Sequence, residues 1–284
     1  MFELLQPVPA DPILNLSVLY RQDTNPNKVD LGVGVYKDEA GHTAIMKAVS
    51  LAEERLLVDE DTKAYVGMAG SKVYCDLLAE VTLGQGHQVL AENRVAVAQT
   101  PGGSGALRVL GEFINVAKPG ASVWVGNPTW ANHIPVMKSA GLNIKTYPYY
   151  SKETKTVDFD AMMETLAAQA QAGDIVLLHG CCHNPSGADL TLEQWDAMAD
   201  FVNSKGLLPF VDIAYQGLGQ GMDEDAAGLR LMASRVSEMV IASSCSKNFG
   251  LYRERTGTAI IISQTPEQAA VSQGQMNGVI RANY

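Results

Sequence analysis

From Arg94 onward the chain keeps returning to one unit: a short apolar run, a loop containing Gly, Pro or Asn, then a stretch with helical spacing. The runs are "RVAVAQ", "SVWVGN", "IKTYPY", "DIVLLHG", "LPFVDIAY", "MVIASS" and "GTAIIIS". Most are rich in Val and Ile and do not alternate with polar residues, the pattern of strands covered on both faces. Between two of them, "TLEQWDAMADFVNSKG" carries Thr191 and Gln194 as a capping-box pair, Trp195, Met198, Ala199 and Val202 on one face, and Gly206 as a stop. That is an amphipathic crossover helix. The expected fold is therefore α/β, a mainly parallel seven-stranded sheet with helices on both faces. A chain of 284 residues that is 46% apolar can fill such a core. Near the end, "TPEQAAVSQGQMNGVIRANY" reads as a helix starting at Thr265, Pro266 and Gln268 and running on without a stop signal.

Charge narrows the partners. With 21 Lys and Arg against 31 Asp and Glu, the net charge of −10 argues against the broad basic face that nucleic acid or anionic lipid requires. No apolar run approaches the ~20 residues of a membrane span, and "MFELLQPVPADPILNL" lacks the basic flank and unbroken apolar core of a signal peptide. A cytoplasmic protein with a small-molecule ligand is expected. Cys75, Cys181, Cys182 and Cys245 form no C-x-x-C pair and no metal-ligand spacing with His, so they read as small buried thiols and no metal is expected.

Open α/β sheets bind ligands beyond the carboxyl ends of their strands, which directs attention to the residues after each run. "PGGSGAL" opens a helix with Gly102, Gly103, Ser104 and Gly105, a turn suited either to phosphate or simply to a structural reversal. Arg255 can grip phosphate bidentately or form a surface ion pair. Asp212 ends an apolar strand, where an unpaired carboxylate is costly, so a cationic group should face it unless it caps a helix. Tyr215 follows three residues on. Trp130 offers either a stacking face or core volume. Lys247, in "SSCSKNFG", sits among small residues near other cations, where an amine deprotonates readily and can form a Schiff base. Pyridoxal 5'-phosphate is the cofactor that meets all these requirements.

The chain resembles the aspartate and aromatic amino acid aminotransferases, the class I group of fold type I pyridoxal-phosphate enzymes. The resemblance runs in order through "ADPILNL", "LGVGVYKDE", "YVGMAG", "TPGGSGALRV", "NPTWANH", "HGCCHNPSGADLT", "DIAYQGLGQG", "SSCSKNFGLYRERTG" and "IRANY". It implies that Lys247 carries the cofactor and shuttles a proton, that Asp212 pairs with the pyridine nitrogen, and that Tyr215 and Asn184 bind the ring hydroxyl. It further implies that Trp130 stacks on the ring and that Gly103, Ser104, Ser244 and Arg255 hold the phosphate. Tyr65 and Arg281 match residues that cross a homodimer interface, to the neighbour's phosphate and to a dicarboxylate's distal carboxylate; Gly34 matches a main-chain contact to the substrate α-carboxylate.

The resemblance also divides the chain. Residues 1–40 are expected to serve a small domain and dimer contacts, and residues 41–284 to form the pyridoxal-phosphate-binding large domain. The C-terminal small domain, with the second substrate-binding arginine, is missing from the match, which makes the chain look like a fragment or a truncation. The expected function is transamination between aspartate or an aromatic amino acid and 2-oxoglutarate. The alternatives are a non-catalytic pyridoxal-phosphate-binding or assembly module and a nicotinamide-dependent dehydrogenase, the latter weakened by the absent dinucleotide fingerprint.

Overall fold

The structure, a computed structural model, describes residues 2–7, 12–30, 32 and 34–284. The chain divides into two compact units, Met1–Ile45 and Met46–Tyr284. The first unit contains a 3-10 turn at Phe2–Leu4 and helix α1 at Pro12–Gln22. Within it, Lys37 pairs with Asp30 at 2.8 Å, and Asp30 also accepts from the Gly32 amide.

The second unit opens with α2 (Lys47–Asp59), α3 (Lys72–Leu83) and α4 (Gln88–Ala91). Strands and helices then succeed one another as β1 (Val95–Pro101), α5 (Gly102–Ala117), β2 (Ser122–Asn127), α6 (His133–Ser139), β3 (Asn143–Pro148), α7 (Phe159–Gln169) and β4 (Ile175–His179). The remainder is α8 (Leu192–Lys205), β5 (Leu208–Ile213), α9 (Ala227–Arg235), β6 (Met239–Ser244), β7 (Thr256–Ile262) and α10 (Pro266–Arg281). All seven strands coincide with the apolar runs. α8 has the full capping box between Thr191 and Gln194, and Gly206 closes it at φ 65° in the left-handed region. Thr265 caps α10 as expected. That helix spans Pro266–Arg281, and the Tyr284 hydroxyl donates to the Gln99 carbonyl at 3.2 Å.

The strands form one sheet in the order β1-β7-β6-β5-β4-β2-β3. Only β7 runs against the others, pairing antiparallel with both β1 and β6. Side chains alternate across the sheet, so each strand feeds two cores. Val240, Ala242, Ile261, Leu177 and Phe210 pack with Leu107 and Leu110 of α5, Met137 of α6 and Met276 of α10. On the opposite face Ile241, Ile260, Leu178 and Val211 pack with Met162 and Leu166 of α7, Trp195 and Met198 of α8, and Leu229 and Met232 of α9. Burial on both faces explains why the runs read as continuous hydrophobic stretches.

The reversed strand has a consequence at the ligand edge. Six strands leave the sheet there, but β7 enters, so Arg255, immediately before Thr256, lies beside the exits of β1 and β6.

Candidate active site

Asp212, one residue from the end of β5, is only 8% exposed. Its Oδ2 lies 2.9 Å from His133 Nε2, on a ring that is fully buried at the start of α6. His133 Nδ1 reaches Thr129 Oγ1 at 2.8 Å, and the same hydroxyl meets His179 Nε2 at 3.1 Å. Asp212 is thus hydrogen-bonded to a histidine tied into a side-chain network, a neighbour the sequence did not announce. Burial pushes the His179 imidazole well below its usual range, with His133 and His183 adding to the effect. Burial first and His133 second lower His183 to about 4. Its ring stacks on Tyr149 with centroids 4.0 Å apart, and Ser186 Oγ lies 2.7 Å from its Nδ1. Trp130 is partly buried against the α5/α6 core and meets His133 edge-on at 5.4 Å, so core packing and a place beside the Asp212 network are combined in one side chain.

Lys247 follows β6 and is half-buried, with Nζ 5.0 Å from the centroid of the Tyr215 ring. Burial depresses its amine pKa; the Asp212 charge opposes that shift and the Arg255 charge adds to it. Asn184 Nδ2 donates to the Tyr215 hydroxyl at a long 3.5 Å, and burial raises the phenol pKa, which this bond partly offsets. Lys247, Asp212, Tyr215 and Asn184 therefore come together from the exits of β6, β5 and β4.

On the other side of Lys247 the chain builds a concave backbone surface. α5 begins at Gly102 with no side-chain cap and no acidic residue in its first turn, leaving the N–H groups of Gly102, Gly103 and Ser104 without a capping side chain. Gly102 has φ 73°, and a Cβ there would stand 2.7 Å from Arg255 Nη2. A Cβ on Gly103 would meet the Ser244 Cβ at 3.0 Å, while one on Gly257 would lie 2.3 Å from the Gly102 carbonyl carbon. Glycine at these positions is what lets β1, β6 and β7 converge with Arg255 over the helix end.

Tyr65, Arg281 and Arg255 line a further cleft of about 510 Å³ with Gln99, Pro101 and Tyr284. Tyr65 is fully exposed and Arg281 is exposed. Gly34 belongs to the first unit, where a Cβ would meet nothing within 4 Å.

Sequence reasoning missed His133, Thr129, His179 and His183. The available signal was their position at or just after the ends of apolar runs, the rule that singled out Trp130 and Asp212. Cys181, Cys182 and Asp225 place a ligand atom each within 4.8 Å, a proximity their sequence spacing did not show. The Asp225 carboxylate already accepts from the Gly217, Gly219 and Gln220 amides, which shapes the loop after Tyr215.

The whole chain is similar to known proteins. The aspartate aminotransferase of Escherichia coli is 48% identical over 284 residues, covering 100% of this chain and 72% of that protein. An aromatic-amino-acid aminotransferase of Paracoccus denitrificans is 48% identical over 280 residues, covering 99% of this chain and 70% of its own length. Among solved structures, an aromatic-amino-acid aminotransferase from Burkholderia pseudomallei, described as covalently bound to pyridoxal phosphate, superposes with a TM-score of 0.97 at 39% identity, covering 100% of this chain and 71% of its own. The family model for aminotransferase class I and II matches residues 26–282, a span that holds the whole Asp212, Lys247 and Arg255 constellation, and the chain belongs to that family.

Proposed function

We propose that this chain transfers amino groups between aspartate or an aromatic amino acid and 2-oxoglutarate, using pyridoxal 5'-phosphate. The observation that carries the reading is Lys247: a half-buried amine of depressed pKa, 5.0 Å from the Tyr215 ring, between the charges of Asp212 and Arg255. The residues present fit the cofactor. The uncapped first turn of α5, Ser104, Ser244 and Arg255 suit its phosphate, and the cradle at Gly102 and Gly103 would be filled by any Cβ. Asp212 suits its ring nitrogen, Tyr215 and Asn184 its ring hydroxyl, and Trp130 its face.

Bound there, the cofactor supplies an electron-withdrawing ring that acidifies the Cα–H of an amino acid. Asp212, fixed through Oδ2 by His133, would face the ring nitrogen and favour a proton there. With the cofactor held there, Lys247 Nζ would serve as the base for the Cα proton; its lowered pKa keeps more of it neutral near physiological pH than an ordinary lysine amine. Tyr215, its phenol pKa raised by burial, remains protonated and able to donate. Arg281 would serve the distal carboxylate of a dicarboxylic substrate.

The assembly is part of the proposal. In a homodimer with shared sites, Tyr65 and Arg281 serve the neighbour's phosphate and substrate, consistent with their exposure. Residues 1–40 then act in small-domain and dimer contacts, and residues 41–284 as the cofactor-binding domain. A cytoplasmic location agrees with four free cysteines; no helix among the described residues is long and apolar enough to cross a membrane. A purely binding role is not favoured, because the relatives are named as enzymes along the full length of the match.

The test is spectroscopic. Purified protein loaded with the cofactor should change its visible absorption on adding aspartate or phenylalanine and recover it on adding 2-oxoglutarate. An absorbance indifferent to every amino acid would sink the catalytic reading. Mixing Arg281→Leu chains with Lys247→Ala chains tests sharing: hybrid dimers should regain aspartate activity that neither parent has.

A further inference from the structure

Tyr74 lies on α3, outside every contact described above, and looks from the sequence like an ordinary residue in the first turns of a helix. Its side chain passes beneath the β6 and β7 ends and places one hydroxyl among three partners. The Gly257 carbonyl is 3.0 Å away, Thr258 Oγ1 3.0 Å and Cys245 Sγ 3.5 Å. A phenol has one proton to donate and two lone pairs to accept with, and these three partners use all of them: it donates to the Gly257 carbonyl and accepts from the Thr258 hydroxyl and the Cys245 thiol. Thr258 is completely buried and Cys245 nearly so, so neither finds water if the phenol is lost.

What the hydroxyl joins matters more than its partner count. Cys245 stands between Ser244 and Lys247, and its amide donates to the Thr256 carbonyl at 3.0 Å, next to Arg255. Gly257 pairs with Ser244 on one side and Thr100 on the other, and its Cα faces the Gly102 backbone. The helix end carrying the tyrosine is itself pinned to β1: Ser71 caps α3 and its amide donates to the Gln99 side chain at 3.2 Å, while the Gln99 amide donates to the Ala69 carbonyl at 2.8 Å. One hydroxyl therefore ties α3 to both strands that deliver the phosphate groups and the reactive amine.

We propose that Tyr74 is a positioning residue that sets the spacing of Ser244, Lys247 and Arg255 by clamping the β6 exit to the β7 entrance from below. It touches neither substrate nor cofactor and acts through Cys245, Gly257 and Thr258. The proposal rests on the site reading given above, and the experiment separates the two. In Tyr74→Phe the ring stays and only the clamp is removed. Binding of pyridoxal 5'-phosphate to the apo-protein, and of inorganic phosphate in competition with it, should weaken by about tenfold, the scale of a lost buried hydrogen bond. The pH midpoint of the bound cofactor's absorption change should also move, because Lys247 is no longer held at fixed distances from Asp212 and Arg255.

A second variant keeps the outcome interpretable if Tyr74→Phe folds poorly. Tyr74→Phe combined with Thr258→Val removes the stranded hydroxyl as well as the phenol, and should recover thermal stability without recovering phosphate affinity. If affinity and pH midpoint return together with stability, Tyr74 only satisfies buried polar groups and the positioning role is overturned. Wild-type affinity and midpoint in folded Tyr74→Phe overturn it equally. Arg255→Leu serves as the control: if it leaves cofactor and phosphate binding unchanged, the site reading itself fails and the role of Tyr74 fails with it.

Discussion

The two halves of the candidate site are built from different materials. Around Asp212 the structure uses side chains bonded to one another: carboxylate to His133, His133 to Thr129, Thr129 to His179. Around Gly102 it uses bare backbone, three glycines in close approach, an uncapped helix end and one exposed arginine. The first half settles its hydrogen bonds internally before any ligand arrives, which fixes a charge in place. The second leaves donors open, which fixes a shape and lets the ligand complete the bonding. Reaction electrostatics call for the first arrangement and anchoring of a phosphate for the second.

If that division holds, substitutions on the two sides should fail in different ways. The largest effect is expected at Lys247, where the halves meet: Lys247→Ala should lower turnover by about 10⁴-fold or more, since both the nucleophile and the base disappear. Borohydride reduction of the loaded wild type followed by peptide mapping should find the pyridoxyl label on Lys247, and a label on another lysine would remove the assignment. Asp212→Asn keeps the shape and deletes the charge, so kcat should drop by about 10³-fold while the cofactor still binds. Loss of affinity with kcat intact at saturating cofactor would place Asp212 in the anchoring half and break the comparison.

Arg255→Leu should do the reverse. The cofactor dissociation constant should rise by about 10- to 100-fold, the range for losing a charge-assisted pair, with a smaller change in kcat once the cofactor is saturating. Equilibrium dialysis and steady-state rates on the same preparation distinguish the cases.

The smallest expected effect concerns pH. His183 titrates at about 4 in the folded protein against 6.5 as its ordinary value, so between those limits the unfolded chain binds the proton and the folded one does not. Its contribution to stability is present above 6.5 and is lost as pH falls through about 4. In the apo-protein, His183→Gln should flatten the melting-temperature profile over that window relative to the wild type; parallel profiles would show that the ring accommodates its proton without cost.

The sheet was legible because burial on both faces writes itself into a strand as an unbroken apolar run, and all seven runs became strands. The α8 helix was legible from its caps, since Thr191, Gln194 and Gly206 act on neighbours a few residues away. Strand direction leaves no such mark, so nothing in "GTAIIIS" announces that β7 is reversed, and Arg255 had to be picked out by its chemistry rather than its place. The histidine network was illegible for a related reason. His133 and Asp212 are 79 positions apart and meet only because α6 and the β5 exit share one edge of the sheet. Tyr74 reaches further still, to Thr258, 184 positions away. Lys247 stood out because its immediate company was wrong for a surface lysine, a local signal.

The reversed strand also makes a ruler. β6 and β7 are consecutive and antiparallel, in a register that pairs Ser244 with Gly257 and Ala242 with Ala259. The amine just beyond one strand and the guanidinium just before the other are thus spaced by a hydrogen-bond ladder rather than by the loop joining them. Lengthening the loop between residues 248 and 253 leaves the gauge unchanged. Inserting a single residue inside β7 turns the strand's following side chains to the opposite face, sending those of one core toward the other. Variation in length along this hairpin is therefore tolerable at its tip and ruinous along its rungs.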